Sequence, residues 1–179
     1  MLINQKISKF FIFLFFFSIY SSISQTNEGV PLNNLAISEI PKPISPIIFK
    51  DFSGKELNLK DYRGKLIIIN FWATWCAPCK REMPSLDRLY QNNNFKNLEI
   101  FAINVEETKI QKAKSFFAAL DIKKLEVFFD YNLNFVNEFK LRGIPTTILI
   151  NKKGEEFARI IGEVDFENKK FMKWLLKYD

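Results

Sequence analysis

The chain has 179 residues, 47% of them hydrophobic, with 26 basic against 20 acidic side chains and a formal net charge of +6, a length that carries one domain with a substantial core. Its basic residues are scattered among Asp and Glu with no run of five or six like charges, which reads as an ordinary solvated surface and not as a nucleic-acid patch. It has no histidine and two cysteines, Cys76 and Cys79, too few soft ligands for a structural zinc held by one chain.

The first residues, MLINQKISKFFIFLFFFSIYSSISQ, place Lys6 and Lys9 before an apolar run from Phe10 to Tyr20 that only Ser18 interrupts, and small polar residues after it. This is the three-part pattern of a secretory signal peptide, and the run is shorter than the roughly 20 residues that span a bilayer. Ser22 and Ser24 direct cleavage after Ser24; as an uncleaved anchor, the segment extends to Ile23. Either way residues 1–24 put the domain outside the cytoplasm, in the periplasm or an equivalent space. Loss of Lys6 and Lys9 lowers the net charge to +4.

Residues 25–46 hold several Pro, Ser and Asn without apolar periodicity and read as a linker or extended arm. The domain, residues 47–179, opens with IIFKDFSGKELNL, which alternates around Ser53-Gly54 as a short hairpin. KLIIINFWA, Lys65 to Ala73, is a continuous apolar run with β-branched and aromatic residues, the mark of a strand buried on both faces. Leu86, Leu89 and Tyr90 then repeat at helical spacing, and Leu98 to Glu106 is a second buried strand. Ile110, Ala113, Phe117 and Leu120 form the stripe of an amphipathic helix. Val127 to Asp130 is a short strand and Leu133 to Phe139 one or two helical turns. Thr146 to Asn151 and Glu155 to Gly162 flank Lys152-Lys153-Gly154 as a hairpin. The closing helix runs from about Phe166 to Lys177, with Asp165 as its N-cap and Phe171, Trp174, Leu175 and Tyr178 toward the core. This order describes an α/β fold, a central mixed sheet flanked by helices.

The cysteines lie in WCAPCKREMP. Covalent haem attachment needs C-x-x-C-H, and residue 80 is Lys. A static disulfide across so small a loop removes little chain entropy. A reversible dithiol remains. The pair sits where the buried strand ends and a helix begins, with Pro78 suited to the first turn. At that N-terminus Cys76 faces unpaired amides and the positive end of the dipole, which favour its thiolate. Cys76 is therefore the attacking thiol, since only the thiolate attacks a disulfide, and Cys79, one turn in, resolves the mixed disulfide.

FWATWCAPCKREMP, with Phe71-Trp72-Ala73, Pro84 and Gly143-Ile144-Pro145-Thr146, resembles the thioredoxin-fold family, and with the signal sequence its extracytoplasmic TlpA/ResA/CcmG-type branch. The resemblance spans about Pro46 to Tyr178. It implies a thioredoxin-like fold with an N-terminal β-hairpin and a βα unit inserted between Glu99 and Asp130. It also implies a cis peptide at Pro145, lying against the disulfide with neighbouring backbone, Ile144 included, paired to an extended substrate segment. Trp75, Ala77 and Pro78 form the facing lip. Thioredoxins carry a buried Asp where this chain has Asn70, which cannot take a proton. Glu82, three residues after Cys79 and on the same helix face, is the alternative acceptor, as an acidic residue is in the resembling branch; otherwise it is a solvated carboxylate near the helix dipole.

The resemblance implies a thiol-disulfide oxidoreductase that reduces protein disulfides through Cys76 and Cys79, with no cofactor and no metal, acting as a monomer. Its partners are a disulfide-containing protein, such as an apocytochrome c in cytochrome c maturation or a copper chaperone, and a membrane thiol-disulfide electron donor. Two other readings stay open. One is a Cu(I)-handling or copper-oxidase assembly module that adds Met83 to the two thiolates. The other is a thiol peroxidase of the related peroxiredoxin type, for which Thr74 stands near Cys76.

Overall fold

The computed structural model describes residues 32–106, 110–130 and 133–179. Residues 1–24, read as a signal peptide or anchor, and the first part of the arm, residues 25–31, lie outside the described residues. Within them eight strands make one mixed sheet: β1 (Leu35–Pro43), β2 (Ile48–Asp51), β3 (Glu56–Asn58), β4 (Leu66–Trp72), β5 (Leu98–Asn104), β6 (Val127–Phe129), β7 (Thr146–Ile150) and β8 (Glu155–Ile161). Their spatial order is β1-β8-β7-β4-β5-β6-β2-β3. The helices are α1 (Ala77–Tyr90), α2 (Ile110–Ala119), α3 (Asn134–Glu138) and α4 (Lys169–Leu175).

The apolar run read as a buried strand is β4, at the centre. It pairs in parallel with β5, Leu66 to Leu98 through Trp72 to Asn104, and antiparallel with β7, Ile67 to Ile150 through Phe71 to Thr146. Alternate side chains feed two cores, as strand geometry requires. Leu66, Ile68 and Trp72 pack with Met83 and Leu86 of α1, Phe117 of α2 and Phe171 of α4. Ile67, Ile69 and Phe71 pack on the opposite face with Phe49, Phe101 and Phe135. There Phe49 meets Phe101, Phe128 and Phe135 edge-on at centroid distances of 5.1, 5.5 and 5.2 Å, the geometry that aromatic quadrupoles favour. The sheet thus has helices on both faces. The inserted unit, α2 and β6, extends it: β6 lies between β5 and the N-terminal hairpin β2–β3.

Three expectations need correction. The arm was read as ending at residue 46, yet Leu35–Pro43 is an edge strand of the sheet, antiparallel to β8 with a register shift between Ile37 and Lys42. Main-chain pairing holds it there, with Leu35 buried in the core. The closing helix begins at Lys169 and not near Phe166, because Asn168 is the N-cap, its side chain accepting from the N–H groups of Lys170 and Phe171. Asp165 instead closes a turn through the N–H of Glu167 at 3.0 Å, which leaves Phe166 buried ahead of the helix. Ile110, expected on the apolar stripe of α2, is 37% exposed; Ala113 and Phe117 carry the buried face.

Candidate functional site

β4 runs straight into the dithiol. After Trp72 the chain passes Ala73, Thr74 and Trp75 to Cys76, the N-cap of α1, with φ −80° and ψ 100°. The Cys76 Sγ accepts from the Cys79 N–H at 3.3 Å, so one otherwise orphaned first-turn amide points at that sulfur. Pro78 sits in the first turn, where its missing donor leaves nothing unpaired. Cys76 and Cys79 are joined as a disulfide, Cα atoms 5.3 Å apart. Cys76 retains 4% exposure and Cys79 none, so Cys76 is the less enclosed of the pair. Trp75, 68% exposed, stands beside Cys76, Ala77 is exposed and Pro78 half-buried. The Thr74 hydroxyl donates to Glu106 at 2.7 Å, tying this loop to the segment that follows β5. Met83 is fully buried in the cluster that also contains both cysteines.

Glu82 is not a solvated carboxylate. It is 2% exposed, on the face of α1 that looks back at β4. Asn70 Nδ2 donates to its Oε1 at 2.8 Å, and the Val164 N–H donates to its Oε2 at 3.0 Å. Burial, opposed by these two donors, pushes its pKa up to about 7, with a further rise from the nearby Glu163 charge. Asn70 is the polar break in an otherwise apolar strand. Its Nδ2 also donates to Thr147 Oγ1 of β7 at 3.0 Å, while its Oδ1 is buried without a partner. Glu82 and Cys79 therefore share α1 at three-residue spacing, with the carboxyl held by two donors, Asn70 of β4 and the Val164 backbone.

The third part comes from β7. The Ile144–Pro145 peptide is cis. Register places Thr146 opposite Phe71 and Thr147 opposite Asn70, which brings the Pro145 loop to the end of the sheet where β4 hands over to Cys76. The Gly162 N–H donates to the Pro145 carbonyl at 2.9 Å, and the Thr146 hydroxyl donates to the Gly143 carbonyl at 2.8 Å. Ile144 is half-buried, packed against both cores.

The topology brings together Cys76, Cys79 and Glu82 on one helix, and Ile144 and Pro145 on the adjoining strand end. Residue-by-residue reading missed Thr147 and Val164. Val164 acts through its backbone, so no side-chain signal marks it. Thr147 could have been found as the register partner of the odd Asn70 in a paired β7.

Residues 40–155 match the AhpC/TSA family. The chain belongs to that family. Among AhpC/TSA relatives it is similar to the thiol-disulfide oxidoreductase ResA of Bacillus cereus, 37% identical over 125 residues that cover 70% of this chain and 71% of that one. ResA of Geobacillus kaustophilus is 38% identical over 121 residues, 68% of each chain. The crystal structure of StoA from Bacillus subtilis superposes with a TM-score of 0.61 at 26% identity, covering 73% of this chain and 97% of that one. The thiol:disulfide interchange protein DsbE from Chlorobium tepidum shares the fold, with a TM-score of 0.68 at 21% identity over 80% of this chain and 99% of that one. With its paired Cys76 and Cys79, this AhpC/TSA member is a thiol-disulfide oxidoreductase of the ResA type.

Proposed function

We propose that the protein is an extracytoplasmic reductant of protein disulfides, with the oxidised cysteine pair of an apocytochrome c as the substrate class that the family resemblance implies. The observation that carries the reading is the placement of Cys76 as N-cap, its sulfur accepting an amide N–H, ahead of a buried Cys79. The Cys76 thiolate attacks one sulfur of the target disulfide; a new S–S bond forms between them and the other target sulfur leaves as a thiolate. Cys79 then loses its proton to Glu82 and attacks Cys76 Sγ. This closes the Cys76–Cys79 disulfide and releases the second target sulfur, so the target gains two electrons and the dithiol loses two. A thiol donor at the membrane restores the dithiol.

Glu82 suits the proton step because a carboxyl near pKa 7 both accepts and returns a proton at neutral pH. Ile144, Pro145, Trp75, Ala77 and Pro78 supply the surface on which the target segment lies.

Three measurements test the proposal. The dithiothreitol-reduced protein should reduce insulin disulfides, and equilibration in redox buffers should give the Cys76–Cys79 couple a potential near or below the roughly −270 mV of thioredoxin. A value near the roughly −120 mV of a strong oxidase would reverse the direction of electron flow. In cells, Cys79→Ser should accumulate mixed disulfides through Cys76; their absence would overturn the assigned order of attack.

A further inference from the structure

A groove of about 760 Å³ starts at the Pro145 loop and crosses β8 to reach β1. It takes in Gly143 and Thr146, the two residues flanking Ile144 and Pro145. Its rim is apolar at Ile161 and Ile37, 64% and 43% exposed. Part of its charge is already engaged. Arg159 is held by Glu156 at 2.8 Å and by the Phe139 carbonyl at 2.9 Å. Glu138 accepts the Ser45 N–H at 3.1 Å. Three exposed cations make no ion pair among the described residues: Lys42, on β1 opposite the engaged Glu156, and two beside the Pro145 loop. Lys140 and Arg142 are exposed, line the groove within five residues of Pro145, and make no ion pair among the described residues.

We propose that this groove receives the extended flank of the substrate protein and that Lys140 and Arg142 select substrates with acidic side chains beside the target cysteine. The inference rests on the reductase reading and names its substrate class. Unpaired, solvent-facing cations of one sign attract a complementary anionic segment during encounter, and the attraction fades once salt shortens the screening length to a few ångströms. The partly apolar rim would then cover the neighbouring aliphatic residues of the same segment.

The test uses two disulfide-bonded peptides that differ only in carrying Glu or Lys on both sides of the disulfide. At low salt the reduced protein should act on the Glu peptide with a kcat/KM about fivefold higher, the size expected of a few exposed ion pairs, and the gap should close at about 0.5 M salt. Lys140→Glu combined with Arg142→Glu should reverse the order while leaving reduction of the small neutral 2-hydroxyethyl disulfide at the wild-type rate. Equal rates for the two peptides at low salt would overturn the proposal and leave the reductase reading intact. If neither peptide nor 2-hydroxyethyl disulfide is reduced, the reductase reading itself fails and the selectivity falls with it. A concentration-dependent dimer abolished by the same double variant would assign the groove to a second copy of the chain and likewise overturn the proposal.

Discussion

Asn70 and Glu82 meet through one amide hydrogen, Nδ2 to Oε1 at 2.8 Å, and the amide oxygen of Asn70 has no partner. This orientation serves the ionised carboxyl, which only accepts. With Glu82 protonated, the same amide turned over presents Oδ1 to the new O–H and still meets the Thr147 hydroxyl, which can donate as well as accept. Asn70 therefore fits both protonation states without moving its backbone.

Asn70→Ala removes the donor that favours the carboxylate, so the pKa of Glu82 should rise above its present value near 7. In a Cys76→Ser background the pH profile of Cys79 alkylation should move upward with it. Stability should fall by about 2 kcal/mol, because Thr147 and the carboxyl each lose a buried partner. An unmoved alkylation profile would separate Glu82 from the resolving thiol.

Glu82 also sets a pH dependence of folding. Its folded pKa, about 7, lies above the ordinary 4.5, so between these values the folded state holds the proton more often than the unfolded state. The contribution of Glu82 to stability is fully present below pH 4.5 and is lost as pH rises through that window, by up to about 3 kcal/mol. Glu82→Gln, neutral throughout, should be the more stable protein at pH 8 and match the wild type near pH 4. Chemical denaturation at the two pH values reads the difference; the opposite sign would mean the carboxylate is stabilised where it sits.

Asp87, 3% exposed, joins α1 to the turn after α2. It accepts from the backbone N–H groups of Lys123, Lys124 and Leu125 at 3.0, 2.8 and 2.8 Å. Asp87→Ala leaves those donors unpaired and should destabilise the fold by roughly 3 kcal/mol. The Cys76–Cys79 potential should not change, because no contact of Asp87 reaches either sulfur. Thermal melts together with a redox titration check both halves.

Trp75, exposed beside Cys76, predicts the reverse pattern. Trp75→Ala should leave stability within about 0.5 kcal/mol while raising KM for insulin several-fold and sparing the rate with small disulfides. Equal losses on both substrates would place Trp75 in support of the thiol and not of the target.

The readability of the sequence follows the range of the forces involved. β4 and the C-x-x-C turn were legible because an apolar run, a proline and two cysteines act locally. β1 was not: LAISEIPKP holds two prolines, has no clean alternation and becomes a strand only because β8 offers it an edge. The last helix was placed too early because Asp165 and Asn168 are both capable caps, and the burial of Phe166 decides between them. Glu82 could be named from its spacing to Cys79, yet whether it was wet or dry depended on Val164, 82 residues away.

The stretch from Gly162 to Val164 grips Pro145 at one end and Glu82 at the other. Three residues extend at most about 10 Å, and Asn34 pins the span from outside through the carbonyls of Ile161 and Glu163 at 3.3 and 3.0 Å. It is a tie rod with little slack. One short run of backbone therefore sets the position of the Pro145 carbonyl and that of the buried Glu82 carboxyl together.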